Sequence, residues 1–293
     1  MPHGCCSMLH NHPTRGLAMP EGDTVARLAG RLHTQMRDQT LLRTDFRVPA
    51  HATADLAGWR VTEVAARGKH LLMRVADPSG ERRLTIHSHL RMDGSWRIYP
   101  DTTGGEHRRA RPHNRAGVRA VLSIPNFAVV GEDVSELRLL PTSDEPVLLG
   151  RLGPDPLHPD YDRTEVLRRL WAQPNARIGT ALLDQSIMAG IGNVLRCELL
   201  FLVGVHPDRT VAETPNLEHI VDSAAELLRT TAALPWRITT GDARRGRDLW
   251  VYGRQRQPCR RCASSIVRTT SGDGAPGAHD SERLVYFCPR CQP

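Results

Sequence analysis

Apolar and polar positions alternate along this chain in two rhythms, and the change of rhythm divides it. Between residues 23 and 36, Val25, Leu28, Ala29, Leu32 and Met36 recur at helical spacing, with Asp23 placed to cap the helix. The period then becomes two. Residues 59–66 alternate, Arg67-Gly68-Lys69 reads as a turn, and residues 70–76 alternate again, which predicts a hairpin with Lys69 at or near its tip. Further strands are predicted over 83–87, 95–99, 118–124 and 127–130, punctuated by Gly, Asp and Pro in the manner of a sandwich or a barrel. Residues 141–162 are rich in Pro, Gly and Asp and read as an interdomain connection. Helical periodicity returns after it, over 163–172, over a pair around 180–201 interrupted by Ala189-Gly190-Ile191-Gly192, and over 216–233. From Arg254 onward short strands surround cysteines. Residues 1–18 show no periodicity, and no internal repeat is present.

Composition sharpens this picture in two places. The chain of 293 residues carries a formal net charge of +7 and a pI near 9.4, which favours a polyanionic partner. Ten Arg against five Asp or Glu fall in residues 241–293, so most of the surplus (10 − 5 = +5) lies in the last fifth. Of the 39 Lys plus Arg, Lys69 alone is lysine. An arginine-favouring codon bias explains the general pattern. The survivor is either chance or a site that needs a compact, rotatable ammonium instead of a planar guanidinium.

Seven cysteines are present, and four of them form two Cys-x-x-Cys pairs, Cys259/Cys262 and Cys288/Cys291, separated by 25 residues. Two such knuckles supply four soft thiolates, the donor set of a structural zinc site with no open position for substrate. A redox dithiol would need only one pair. The odd remainder excludes a secreted disulfide framework, no apolar run approaches membrane-spanning length, and residues 1–18 lack the apolar stretch of a signal peptide. A reducing, cytoplasmic setting is expected.

Met19-Pro20-Glu21-Gly22 reads as the start of a protein although it lies inside this one. Read blandly, it is a Pro-Glu turn entering a helix. Read chemically, a Pro20 freed by removal of Met19 is a secondary amine, able to attack a sugar carbon and form an iminium, which an amide nitrogen cannot do.

Four ordered motifs together resemble the formamidopyrimidine-DNA glycosylase / endonuclease VIII family of DNA repair enzymes. They are Met19-Pro20-Glu21-Gly22, Arg67-Gly68-Lys69-His70-Leu71-Leu72, Leu183-Asp184-Gln185 continuing through Ala189-Gly190-Ile191-Gly192-Asn193 to Glu198, and the end Cys288-Pro289-Arg290-Cys291-Gln292. The resemblance spans essentially residues 19–292. It implies an α+β fold: an N-terminal β-sandwich with an N-terminal helix, a C-terminal helix–two-turns–helix domain and a four-Cys zinc finger. The domains expected are a catalytic sandwich at 19–140, a linker at 141–162, the helix–two-turns–helix domain at 163–253 and the finger at 254–293. Residues 1–18 become an extension absent from the active enzyme.

The resemblance also implies an activity and its residues. A damaged nucleotide is flipped from DNA lying in a basic cleft. Pro20 attacks C1′, Glu21 serves as the adjacent acid/base, and Lys69 contacts the phosphate beside the lesion and takes part in catalysis. Asn193 binds phosphate at a Gly-rich turn. Arg283 grips phosphate and assists the second elimination. Glu198 lies near the amine and tunes it. His89 and Met92 belong to the loop that fills the gap in the duplex, Arg254 is a further DNA contact, and Arg260, Arg261, Arg268 and Arg290 join Arg283 in lining the finger. One structural Zn2+, a DNA partner and a monomeric state follow, with nucleoid association through DNA.

Three departures bear on specificity. Asp23-Thr24 stands where many members have Pro-Glu, so one acidic residue near the site is missing, and Val285 replaces a usual Thr. No Arg-Phe wedge of the 8-oxoguanine-directed branch is found; Pro125-Asn126-Phe127 occupies its approximate place. The endonuclease VIII-like branch, with oxidised pyrimidines as targets, is the expectation. The rival is a non-catalytic binder of damaged or abasic DNA.

Overall fold

The computed structural model describes residues 19–100, 115–270 and 284–293. Helix α1, Gly22–Met36, carries the predicted stripe, and Val25, Leu32 and Met36 are fully buried. Each such side chain contributes roughly 1.5–3 kcal/mol through burial. Asp23 is not the cap expected of it. Glu21 occupies that position and Asp23 lies inside the first turn.

Eight strands follow: β1 Arg43–Phe46, β2 Arg60–Arg67, β3 His70–Ala76, β4 Arg83–His89, β5 Ser95–Pro100, β6 Val118–Ile124, β7 Phe127–Glu132 and β8 Glu136–Pro141. They form two antiparallel four-stranded sheets, ordered β1-β6-β7-β5 and β2-β3-β4-β8. Leu71 and Met73 of one sheet share a core with Leu122 and Val129 of the other and with α1. The pattern left sandwich and barrel open, and two sheets face to face make it a sandwich. Strand β1 escapes sequence reading because it is four residues long with one apolar position, and β8 because its brief alternation runs straight into the Pro-rich connection.

The connecting segment contains a short helix, α2 Glu145–Leu149. Beyond it come α3 Arg163–Trp171, α4 Ile178–Ala181, α5 Asn193–Leu202 and α6 Leu217–Ala233, around a second core. The residues between α4 and α5 form two consecutive turns tied by one side chain. Gln185 Nε2 donates to the Leu183 and Ile191 carbonyls at 2.8 Å each, and its Oε1 accepts from Gly190 N at 3.0 Å. The tail adds the hairpin β9 Val267–Thr270 and β10 Leu284–Phe287, whose apolar residues pack on Cys197 and Phe201 of α5. Among the described residues no helix is long and apolar enough to cross a membrane.

Candidate active site at the domain junction

The two cores meet at the start of α1 and the start of α5, and glycine permits it. Gly22 N donates to the Gly190 carbonyl at 2.9 Å, and a Cβ on Gly22 would stand 2.7 Å from Gly190 Cα. Gly192, at the N-cap of α5, has no side chain to satisfy the first amides of that helix. Glu21 supplies the missing acceptor from the other domain. Its Oε1 accepts from Val194 N at 2.7 Å and its Oε2 from Leu195 N at 3.1 Å, and the residue is 1% exposed. A carboxylate beside Pro20 is thereby immobilised against the positive end of a helix.

The β2–β3 hairpin reaches the same junction. Arg67 pairs with His70 across a two-residue turn in which Gly68 takes φ +55°, as such hairpins require at that position. Gly68 N donates to Asp155 Oδ2 at 2.7 Å, and Arg67 grips Asp160 through two bonds of 3.1 Å. A Cβ on Gly68 would lie 3.2 Å from Ala189 Cβ. Lys69 therefore sits on a turn fixed to the connecting segment, beside the Ala189–Asn193 loop. Sequence reading missed Asp155 and Asp160, since an acid in a Pro/Gly-rich linker has no pattern of its own.

Behind Lys69 lie three histidines that sequence reading did not group. His70 Nδ1 is 2.9 Å from His87 Nε2, and the His70 ring meets the His89 ring edge-on. Cross-strand register explains this, because His70 faces His89 and Leu72 faces His87. Burial, then the neighbouring His70, pushes His87 and His89 down to about 4, and burial lowers His70 as well. Folded, the cluster stays neutral where the unfolded chain, titrating near 6.5, takes up protons. Stability is therefore lost as pH falls from about 6.5 to about 4. We expect the melting temperature to drop by about 5 °C between pH 7 and pH 5. A His87→Phe chain melting with the same slope would refute this.

Several expected site residues are used differently from the sequence-based reading. Asn193 is 1% exposed; its Nδ2 donates to the Leu284 carbonyl at 2.9 Å and its Oδ1 accepts from Arg196, so its amide ties α5 to the finger strand instead of facing solvent. Glu198 is fully buried on α5 and accepts from Trp250 N, Val251 N and Tyr252 N at 2.7–2.9 Å and from Thr239 Oγ1. Burial pushes its carboxyl up while these donors pull it down, and the net direction is upward. It shapes the loop that carries Tyr252, whose phenol lies within electrostatic reach of Glu21. Arg254 is a correction: it is buried, donating to the Trp250 and Pro258 carbonyls and to Gln257 Oε1, and so braces its own loop. Arg261 likewise stacks on Phe201 and Trp250, and Arg260 donates to the Leu249 and Gly246 carbonyls. Arg268 and Arg290 are exposed.

Met92 lies in the β4–β5 turn, exposed at 38%, two residues beyond the buried Leu90 and close to the half-buried His89. Arg283, residues 1–18 and the Ser271–Ala278 stretch lie outside the described residues. Asp23 is fully buried at the junction and paired to Arg237 at 2.5 Å.

The four finger cysteines converge, with all four Sγ atoms within 4.8 Å of one another. Cys259 Sγ lies 3.9 Å from Cys291 Sγ, and Cys262 Sγ lies 3.4 Å from Cys288 Sγ. Thiolates about 2.3 Å from a central tetrahedral ion would stand about 3.8 Å apart, so the set fits a metal.

A two-domain fold with a Pro-Glu-Gly motif entering its first helix, a Gly-rich two-turn junction and a terminal four-cysteine finger defines a DNA-repair glycosylase architecture. Comparison with known proteins agrees. The formamidopyrimidine-DNA glycosylase N-terminal domain matches residues 19–129, and the H2TH domain of that enzyme matches 152–239. Probable endonuclease 8 2 of Streptomyces coelicolor is 44% identical over 276 residues, covering 94% of each chain. The DNA-(apurinic or apyrimidinic site) lyase Nei2 of Mycolicibacterium smegmatis is 40% identical, covering 94% of this chain and 99% of that one. The fold is also that of MutM in complex with DNA containing carbocyclic 8-oxo-G, at a TM-score of 0.74 and 22% identity, over 94% of this chain and all of that one. The chain belongs to the formamidopyrimidine-DNA glycosylase / endonuclease VIII family.

Proposed function

We propose that this protein is a bifunctional DNA glycosylase and abasic-site lyase of base excision repair, acting through the amine of Pro20. The observation that carries the reading is the convergence at one junction of Pro20, Glu21 locked on the α5 amides, and the Gly68-Lys69 turn docked against Ala189. Pro20 nitrogen donates its lone pair to C1′, and the damaged base departs with its bonding electrons. Glu21 takes up the proton that the amine loses on attack and returns it to the ring oxygen as the sugar opens. The resulting iminium acidifies C2′, so loss of that proton expels the 3′ phosphate, and a second elimination expels the 5′ phosphate. Lys69 neutralises phosphate beside the lesion, Arg283 is assigned to the finger's phosphate grip, and Met92 with His89 to the gap in the duplex.

Relatives named endonuclease 8, together with the absent wedge, support oxidised pyrimidines as targets. The finger is assigned one structural Zn2+, which orders the thiolates and does no chemistry. Residues 1–18 are assigned to an extension missing from the active form, since the family match begins at Met19 and 94% of this chain covers 99% of the M. smegmatis relative. The enzyme works as a cytoplasmic monomer.

Borohydride trapping tests this on abasic and thymine-glycol duplexes, with the chain begun at Met19 beside the full chain. We expect a covalent adduct at Pro20 from the first and none from a form blocked at that nitrogen. Binding without an adduct from the Met19-start chain would leave a non-catalytic binder.

A further inference from the structure

Asp23, in the first turn of α1, has a partner on the opposite domain. Arg237 follows α6 and is 6% exposed. Its Nη2 donates to Asp23 Oδ1 at 2.5 Å and its Nε to Oδ2 at 2.9 Å. The same Nη2 is 3.2 Å from Thr24 Oγ1, 3.7 Å from Glu21 Oε2 and 3.5 Å from the Met19 carbonyl oxygen.

The last contact carries the argument. The Met19 carbonyl carbon is bonded to the Pro20 nitrogen, and that amide is planar. An iminium between the same nitrogen and C1′ is planar too. The carbonyl carbon therefore stands where C1′ stands in the covalent adduct, and its oxygen marks one of the two substituent positions. Adding the amide's own O-to-N span to the measured 3.5 Å keeps the guanidinium within about 6 Å of the nitrogen.

We propose that Arg237, held by Asp23, is a positioning residue that keeps the Pro20 amine unprotonated and aimed at the sugar carbon, an inference that rests on Pro20 as nucleophile. A free α-amine is largely ammonium at neutral pH, and a fixed cation a few ångströms away disfavours that form. The other charged or titratable groups facing this point are Glu21 at the N-cap of α1, Asp23 and Arg27 on α1, and Tyr252 from the loop before the finger, while Lys69 lies on the neighbouring hairpin turn. Burial works against the Arg237 charge, yet Glu21 and Asp23 outweigh it and hold the guanidinium protonated. Burial likewise opposes the Asp23 charge, and Arg237 with Arg27 holds that carboxyl below the usual range. The cation is thus permanent, and its distance is set from both domains.

Single-turnover cyanoborohydride trapping on an abasic duplex between pH 5 and 9 tests this, with the chain begun at Met19 and its N-terminal proline verified by mass. Arg237→Gln should move the acid limb up by about one pH unit, lowering the rate at pH 6.5 about tenfold. Arg237→Lys should restore most of the limb. Asp23→Asn should move it the other way, because the guanidinium then loses a neighbouring anion, and this variant carries the test by itself if Arg237→Gln does not fold. Equal loss at every pH, or shifts of one sign in both variants, overturns the proposal in favour of a plain domain clamp. An unsubstituted chain that is never trapped overturns the Pro20 reading first.

Discussion

Gly192→Ala is expected to lower covalent trapping of abasic DNA by roughly 100-fold or more, with a clear loss of thermal stability. The added Cβ would lie 2.5 Å from Glu21 Cδ and Cγ and 2.7 Å from Oε1, distances no carbon tolerates. Neither side can yield cheaply. Gly192 is the N-cap of α5, and Glu21 is pinned by the Val194 and Leu195 amides and flanked by Gly22, itself bonded to Gly190. Relief requires expelling the carboxylate, which strands two buried amides at about 1–3 kcal/mol each and drags Pro20 off its line. Gly30→Ala is the matched control. That glycine lies in α1 with nothing within 4 Å of its would-be Cβ, so alanine there should leave trapping intact and stabilise the helix by about 1 kcal/mol. Trapping rates and melting curves for both variants decide the matter. A Gly192→Ala enzyme behaving like Gly30→Ala would mean that the junction does not constrain the chemistry.

Metal removal, or Cys262→Ser, is expected to melt the finger and reduce affinity for duplex DNA about 100-fold or more, while the sandwich stays folded. Four converging thiolates in a tail this short supply most of its folding free energy once metal is bound, roughly 10–16 kcal/mol for comparable zinc peptides. The finger does not melt alone. Ile266, Val285, Tyr286 and Phe287 share a core with Cys197 and Phe201, and the Leu284 carbonyl accepts from Asn193 and Arg196. Losing β10 therefore exposes one face of α5, the helix whose first amides hold Glu21. Elemental analysis should find one zinc per chain, and trapping should fall together with binding after chelation. Full DNA affinity in metal-free protein would refute the assignment.

Much of the site was legible in the sequence because its chemistry is written in short, spaced motifs. Two Cys-x-x-Cys pairs announced the finger, and an alternating hairpin placed Lys69 at its tip within a residue. Charged residues misled in proportion to their ambiguity. An arginine reads as a phosphate ligand until its surroundings are known, and Arg254 and Arg261 turn out to be bound to the protein's own carbonyls. Asn193 and Glu198 face inward, holding the finger strand and the Trp250–Tyr252 loop.

By itself the amino-acid order determined most of the local elements, the donor set for a metal and the family to which the chain belongs, because each is written in short motifs whose residues lie close together. Contacts across the domain junction were decided only in three dimensions. Glu21 capping α5 from 173 residues away, Asp155 anchoring Gly68 and the Asp23–Arg237 pair have no sequence spacing that would reveal them. Burial creates them: a polar group removed from water must find a partner, and only the packing of two cores specifies which one lies within reach.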